Sequence, residues 1–305
     1  MHRLFASLMA FALSLAVLPA AAVEVSHAMG KTQVPDDPQR IVVLELSFVD
    51  ALAAVSVSPV GIADDSDRDR VVAAYTDIIG QDWVSVGSRK TPSLERIAEL
   101  APDLIIADKT RHVGAYDILS SIAPTIVLDS LTGDYHEALA QAAVIGKAIG
   151  KPEKMARRIA THKARMHAYA EMFRLKSKGV TAQFGVANTT GLWLHSPSSY
   201  VGSLLRLFGF DASMTGANTG DYAATYVSIS LEQLSAIDPD ILILGRYTDP
   251  AITDTWTDET LFQELAAVRT DHVFAADAHE WSRLRGILAA ERLAGQLTEM
   301  MTGQW

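Results

Sequence analysis

Short apolar segments alternate with amphipathic stretches along the chain, a pattern typical of strands connected by helices. In the first half, five apolar segments predict strands, at residues 41–46, 60–64, 83–87, 103–108 and 125–129. Strands that are apolar on both faces and alternate with helices indicate a parallel sheet covered on both sides. In such sheets, ligands bind beyond the carboxyl ends of the strands.

The same alternation returns in the second half of the chain. Apolar segments predict further strands at residues 180–187, 191–195, 240–246 and 272–277, again with helical stretches around them. We therefore expect an α/β fold with two Rossmann-like lobes. The expected N-terminal lobe spans residues 23–150, and the C-terminal lobe spans residues 177–305.

A single long helix is predicted between the lobes, over residues 151–176. Pro152 suits a first helical turn, and no Gly or Pro follows until Gly179. Met155 and Met166 are among the apolar residues that fall on one face. One helix joining two lobes should limit their hinge opening. The alternative is an ordinary packing helix within one continuous domain.

The first residues have the pattern of a secretion signal. Arg3 precedes an apolar run over residues 4–18, and Ala20 and Ala22 supply the small residues that signal peptidase recognises. We expect residues 1–22 to be removed on export to the periplasm; the alternative, a membrane anchor, needs a longer apolar run. The chain has no cysteine, so we expect neither a lipid anchor nor a disulfide.

The protein is acidic, with a formal net charge of -10. A protein that binds nucleic acid normally shows the opposite balance. An anionic ligand would therefore have to be attracted by a local cluster of positive charge.

Positively charged and polar side chains collect at or near the carboxyl ends of the predicted strands. They are Ser47, Arg89, Arg111, Arg246, Arg283 and Arg285, and the candidate walls of the same cleft are Trp193, Tyr200 and Trp281. Arginine grips a carboxylate in two places, so arginines from both lobes would form a clamp for a polycarboxylate. The alternative is that each arginine pairs with a nearby acid, such as Asp64 or Asp65.

One phrase occurs twice, as SLERIAELAPDLIIA at residues 93–107 and SLEQLSAIDPDILIL at residues 230–244. In each copy a serine suits the N-cap of a helix, and Glu95 or Glu232 falls in its first turn. A first-turn glutamate stabilises a helix by itself. Its presence at the same place in both lobes favours a two-point contact with a partner protein.

Two other chemistries find little support in the sequence. No HExxH pair is present, and the acidic DDSDRD segment lacks the glycine and terminal glutamate of a calcium loop. There is no Gly-rich phosphate loop and no GxSxG motif. We expect no directly bound metal, no cofactor and no enzymatic activity, with an enzyme or signalling module on the same scaffold as the alternative.

Several segments resemble one family of proteins. The segments RIVVLELSFVDALAA, PSLERIAELAPDLIIAD, RHVGAYDILSSIAPTIVL and EWSRLRGILAAERLA resemble the periplasmic iron(III) dicitrate-binding proteins of ABC importers, which belong with the siderophore-, heme- and cobalamin-binding proteins. The resemblance implies two α/β lobes, one linking helix and a monomer that delivers a ferric chelate to an inner-membrane permease dimer. Another iron chelate or heme is the alternative ligand.

The resemblance also implies roles for particular residues. Glu95 and Glu232 would meet arginines on the two permease copies, and Arg89, Arg111 and Arg283 match the arginines that hold the ligand. Arg246 stands where the family can have His followed by Tyr. Citrate oxygens fill the coordination sites of the hard ferric ion, so the protein would need to recognise only the anionic outer surface of the chelate.

Overall fold

A computed structural model describes residues 22–215 and 221–302. The predicted signal peptide lies outside these residues, apart from Ala22. Within the described part, no helix has the length and apolar character needed to cross a membrane.

The described chain folds into thirteen strands and fourteen α-helices. The strands are β1 (Ala22–His27), β2 (Gly30–Pro35), β3 (Ile41–Val43), β4 (Gly61–Ile62), β5 (Val84–Ser85), β6 (Leu104–Asp108), β7 (Thr125–Leu128), β8 (Thr181–Ala187), β9 (Leu192–His195), β10 (Asp211–Ala212), β11 (Tyr226–Ile229), β12 (Ile241–Arg246) and β13 (Val273–Ala276).

The helices alternate with these strands. They are α1 (Leu46–Ala54), α2 (Ala73–Ile79), α3 (Leu94–Glu99), α4 (Lys109–His112), α5 (Tyr116–Ile122), α6 (Tyr135–Ala148), α7 (Pro152–Ser177), α8 (Tyr200–Leu207), α9 (Tyr222–Thr225), α10 (Leu231–Ile237), α11 (Thr260–Gln263), α12 (Ala266–Arg269), α13 (Ala278–Arg283) and α14 (Ile287–Thr302). Short 3₁₀ helices lie at Arg68–Arg70, Val113–Ala115 and Ile252–Trp256.

The N-terminal lobe contains a parallel sheet in the order β5-β4-β3-β6-β7. Every residue of β3, β6 and β7 is buried, because helices cover both faces of the sheet. All five strands predicted from the apolar segments of this lobe are present. The antiparallel β1–β2 hairpin precedes the sheet.

The C-terminal lobe repeats this order as β11-β9-β8-β12-β13, and β10 adds to β8. Unlike the first sheet, it is mixed, because β9 runs antiparallel to both β8 and β11. The connection from β8 to β9 is a tight turn in which Asn188 accepts hydrogen bonds from the backbone N–H groups of Thr190 and Gly191. So short a connection permits only antiparallel pairing.

The repeated phrase occupies the same place in both lobes. Ser93 caps α3, between β5 and β6, and Ser230 caps α10, between β11 and β12. Each serine hydroxyl accepts a hydrogen bond at 3.3 Å, from the backbone N–H of Arg96 or of Gln233. Both lobes are thus built on one plan, which confirms the expected fold class.

The linking helix α7 starts at Pro152 and runs for 26 residues. Its buried face includes Met155, Met166 and Phe173, and the helix packs against α6 and α14. The main hydrophobic core includes these residues and continues into both sheets. Because the lobes share this core, the boundaries at residues 150 and 177 stay predictions.

A buried carboxylate also joins the lobes beside α7. Asp50 on α1 accepts hydrogen bonds from the backbone N–H groups of Ile287 at 2.6 Å, Leu288 at 3.2 Å and Ala289 at 2.8 Å. The hydroxyl of Tyr75 donates to the same carboxylate at 2.9 Å. Asp50 therefore caps α14 from the other lobe, a contact that resists large hinge opening.

Candidate ligand-binding cleft

A cleft of ≈ 750 Å³ opens between the two lobes, at the carboxyl-end edges of the sheets. Both halves of the chain contribute to its walls. The lining residues are Asp65, Arg70, Arg89, Arg111, Leu131, Val186, Asn188, Trp193, His195, Tyr222, Ala223, Tyr226, Val227, Ser228, Tyr247, Ser282, Arg283 and Arg285.

Positive charge dominates this cleft. Its lining holds Arg70, Arg89 and Arg111 from the N-terminal lobe and Arg283 and Arg285 from the C-terminal lobe. Three carboxylates lie within ion-pair distance of these arginines, namely Asp65 in the lining, Glu45 buried behind it and Asp67 beside Arg70, so five arginines face three acids and leave a net charge of +2. In a protein of net charge -10, this local field attracts anions.

The buried carboxylate of Glu45 positions two of these arginines. Glu45 precedes α1 and is fully buried, and its Oε1 lies 2.6 Å from Nη1 of Arg89. Its Oε2 lies 3.1 Å from Nε of Arg111. Glu45 therefore holds the two guanidinium groups beside each other, at the sheet edge where the apolar pattern predicts ligand binding.

Arg89 is the more enclosed of the two. Its Nη2 lies 2.9 Å from Asp65, and its backbone N–H donates to the same carboxylate. The pKa of Asp65 is lowered, because hydrogen bonds and charge from Arg89 outweigh the effect of burial. Arg89 therefore pairs with a nearby acid, which is the alternative that the sequence left open. The side chain of Arg111 is less enclosed and is 22% exposed.

Arg285 and Tyr226 join the lobes at the floor of the cleft. Nη2 of Arg285 donates to the Tyr226 hydroxyl at 2.7 Å, and that hydroxyl donates to the backbone carbonyl of Leu131 at 2.6 Å. His195 packs edge-on against Tyr226. Burial, and then the charge of Arg285, lower the pKa of His195 to about 3, so this imidazole is neutral and adds no charge to the cleft.

Arg283 is placed differently. Its guanidinium lies 4.2 Å from the centre of the Tyr247 ring, in a cation–π contact. No carboxylate among the described residues lies within ion-pair distance of Arg283. Its hydrogen-bond donors are consequently available to a ligand in the cleft.

Four of the predicted site residues lie outside the cleft lining. Arg246 is exposed and pairs with Asp249 at 2.8 Å and Asp254 at 2.6 Å. Ser47 lies in the N-terminal lobe, where its hydroxyl is 2.6 Å from that of Ser130. Local partners satisfy both side chains, which corrects the expectation that Arg246 and Ser47 face the ligand.

The two other corrections concern aromatic residues. Tyr200 is 1% exposed, and its hydroxyl donates to the carbonyl of Gly286 at 2.7 Å. Trp281 is 1% exposed, and its indole N–H donates to Gln296 at 2.6 Å. Both rings are core residues behind the cleft. Of the three predicted aromatic walls, only Trp193 lines it.

The structure adds lining residues that the sequence did not single out as site residues. They are Arg70, Asn188, His195, Tyr222, Tyr226 and Tyr247, together with smaller neighbours. Arg70 directly follows the acidic DDSDRD segment at residues 64–69, and its Nη1 is 3.1 Å from Asp65. Tyr222 and Tyr226 lie around β11, which no apolar run predicted.

Glu95 and Glu232 are both exposed, in the first turns of α3 and α10. Each helix connects two strands of its sheet that run in the same direction, so its N-terminus follows the carboxyl end of a strand. Both glutamates therefore lie at the edge of the molecule that also carries the cleft. The side-chain hydroxyl of Ser230 lowers the pKa of Glu232, which keeps that side chain negatively charged.

Two α/β lobes on a linking helix, with a basic cleft between them, define a solute-binding protein of the helix-linked class. The chain belongs to the periplasmic binding protein family, whose family model matches residues 41–280. This confirms the resemblance seen in the sequence.

Individual relatives are similar over most of the chain. The Fe(3+) dicitrate-binding periplasmic protein FecB of Escherichia coli (strain K12) is 41% identical over 294 residues, which cover 96% of this chain and 94% of FecB. The Fe(3+)-citrate-binding protein YfmC of Bacillus subtilis (strain 168) is 40% identical over 266 residues, which cover 87% of this chain and 81% of YfmC.

Among solved structures, Staphylococcus aureus SirA complexed with staphyloferrin B has the same fold. Its TM-score is 0.79 at 24% sequence identity, and the match covers 92% of this chain and 98% of SirA.

Proposed function

We propose that this protein is the periplasmic substrate-binding protein of an ABC importer and captures iron(III) dicitrate in the cleft between its lobes. The observation that carries the proposal is the convergence of arginines from both lobes on one cleft, in an otherwise acidic protein. Two relatives at 40% identity or more are named for binding ferric citrate. In this proposal the chain reaches the periplasm through its N-terminal signal peptide.

The proposed binding needs no protein ligand to iron. Ferric ion prefers oxygen donors, and citrate supplies carboxylate and hydroxyl oxygens for it. The described residues contain no cluster of three or more His, Asp or Glu side chains that could hold a metal ion. Arg111 and Arg283 would instead donate hydrogen bonds to the outer carboxylate oxygens, in charge-assisted pairs. Arg285 is 5% exposed and bonded to Tyr226, and it would add positive charge from the floor of the cleft.

The aromatic side of the cleft favours a second candidate ligand. Trp193, Tyr222, Tyr226 and Tyr247 line the C-terminal wall. Aromatic rings stack on flat ligands, so a catecholate siderophore or heme is the alternative to ferric citrate. The two relatives named for binding ferric citrate rank the polycarboxylate first.

We further propose that Glu95 and Glu232 dock the loaded protein onto the two copies of a permease dimer. Their matching places in the two lobes support a partner with two-fold symmetry, in which each copy offers one basic side chain. A ligand that draws the lobes together would select the geometry that docks. In this scheme the protein acts as a monomer and catalyses no reaction.

Tryptophan fluorescence tests the choice of ligand. Ferric citrate is expected to quench the emission of Trp193, because this ring lines the cleft, whereas iron-free citrate, ferrichrome and heme are expected to give weaker or no saturable quenching. The titration is repeated with the Trp193→Phe variant, in which the ferric citrate signal should largely disappear. Saturable quenching by heme or ferrichrome at lower concentration than ferric citrate would contradict the proposed ligand.

A further inference from the structure

Two exposed aliphatic side chains lie on helices of corresponding connections in the two lobes. Ile118 on α5 is 53% exposed, and the next residue, Leu119, is fully buried. Leu261 on α11 is 37% exposed, and the next residue, Phe262, is 9% exposed. α5 connects β6 to β7, and α11 lies in the corresponding connection from β12 to β13.

Each of these side chains stands on a helix that packs against a glutamate-bearing helix. In the N-terminal lobe α5 contacts α3, and Leu119 shares a buried cluster with Ile97. In the C-terminal lobe α11 contacts α10, and Phe262 shares a buried cluster with Leu234. The buried neighbour anchors the helix, and the exposed aliphatic residue is left on the surface beside it.

We propose that Ile118 and Leu261 are the apolar anchors of the permease-docking surface, one beside Glu95 and one beside Glu232. The inference rests on the proposed function, since it deepens the two-point contact with a permease dimer. Each permease copy would offer an apolar pocket next to its basic side chain. The same pair of groups, one anionic and one aliphatic, is presented twice, which is what a two-fold symmetric partner requires.

In this proposal the aliphatic anchors and the glutamates contribute differently to docking. A charged pair at an interface serves mainly orientation, and much of the loss on truncating one partner comes from the charge that is left unpaired. Burial of an aliphatic side chain is not screened by salt, because its gain depends on the apolar area removed from water. The glutamates would then set the orientation of docking, while Ile118 and Leu261 would supply its strength.

Three exposed apolar residues on other helices lack this repetition. Ile78 on α2 is 42% exposed, and Met172 and Leu175 on α7 are 49% and 81% exposed. α2 lies between β4 and β5, and the matching connection between β9 and β11 carries α8 and α9 in a different arrangement. The helix α7 occurs once. A two-fold symmetric partner therefore cannot make the same contact twice with Ile78, Met172 or Leu175.

The test is iron uptake from ferric citrate by cells that make a variant in place of the wild-type protein. The double variant Ile118→Asn with Leu261→Asn is expected to lower uptake at least tenfold at limiting ferric citrate. Its affinity for ferric citrate in solution should stay within twofold of the wild type. The matched control, Met172→Asn with Leu175→Asn, should leave both uptake and affinity unchanged.

A second double variant, Glu95→Ala with Glu232→Ala, separates this inference from the proposed function. If it abolishes uptake while the Ile118 and Leu261 variant transports normally, the inference is overturned and the glutamate docking stands. If neither double variant changes uptake, the docking proposal fails and the inference fails with it. A loss of ferric citrate affinity or of thermal stability in the Ile118 and Leu261 variant also overturns the inference, because these residues would then serve the fold.

Discussion

Replacing Arg111 and Arg283 together by alanine is expected to weaken ferric citrate binding at least about 100-fold. Each arginine donates from a different lobe, and a hydrogen bond between charged groups contributes about 1.5–3 kcal/mol. One side of the Arg111 guanidinium is held by Glu45, and Arg283 has no carboxylate partner among the described residues. Isothermal titration calorimetry with ferric citrate measures the loss directly.

Arg246 provides the matched control for this experiment. It is also an arginine at the end of a strand, but its guanidinium pairs with Asp249 and Asp254 outside the cleft. Arg246→Ala should change the dissociation constant less than twofold. An equal loss of affinity in the control, or none in the double variant, would show that the cleft arginines do not hold the ligand.

Replacing Arg89 by alanine is a poorer test of ligand binding, although the resemblance in sequence gives Arg89 a role in holding the ligand. It is 5% exposed and lies between Glu45 and Asp65. Its removal would take the closest cationic partner from both Glu45 and Asp65, whereas Arg111 pairs with Glu45 alone, so Arg89→Ala should destabilise the lobe more than Arg111→Ala. A fall in affinity of Arg89→Ala would therefore combine lost contacts with a disturbed Arg111.

Replacing Glu95 and Glu232 together by alanine is expected to lower uptake of iron from ferric citrate at least about 30-fold, because truncating charged pairs that become buried at an interface costs several kcal/mol. Both side chains are exposed in the free protein, so folding should be unaffected. The affinity for ferric citrate should stay within twofold of the wild type. Uptake by cells and calorimetry on the purified protein give the two readouts.

The control for this prediction uses other exposed glutamates of the same two lobes. Glu99 lies at the C-terminal end of α3, and Glu264 directly follows α11. Their replacement by alanine removes the same total charge and should leave uptake unchanged. Normal transport by the Glu95 and Glu232 double variant would contradict the docking role. These residues would then serve only to stabilise the first turns of their helices.

The fold was largely predictable because its strands are buried on both faces. Segments such as β6, with all residues buried, must be apolar throughout, and such runs are visible in the sequence. The antiparallel direction of β9 was missed, because an apolar run carries no information on strand direction. That direction depends on the tight turn at Asn188.

The site was only partly predictable, for a related reason. Arg111 and Arg283 come soon after strands in the sequence and line the cleft, yet Arg246, which ends β12, turns to Asp249 and Asp254. Sequence shows which residue types are present and not which way they face. Trp281 and Tyr200 were predicted from the sequence to line the cleft, but both rings are buried in the core.

The central claim is that arginines from both lobes hold a ready-made anionic iron chelate, and the most direct test is a crystal structure of the complex with ferric citrate. Anomalous diffraction at the iron absorption edge should place iron in the cleft, with citrate oxygens alone around it and with Arg111 and Arg283 at hydrogen-bond distance from the citrate. Iron coordinated by a protein side chain, or citrate bound anywhere but between the lobes, would contradict the claim.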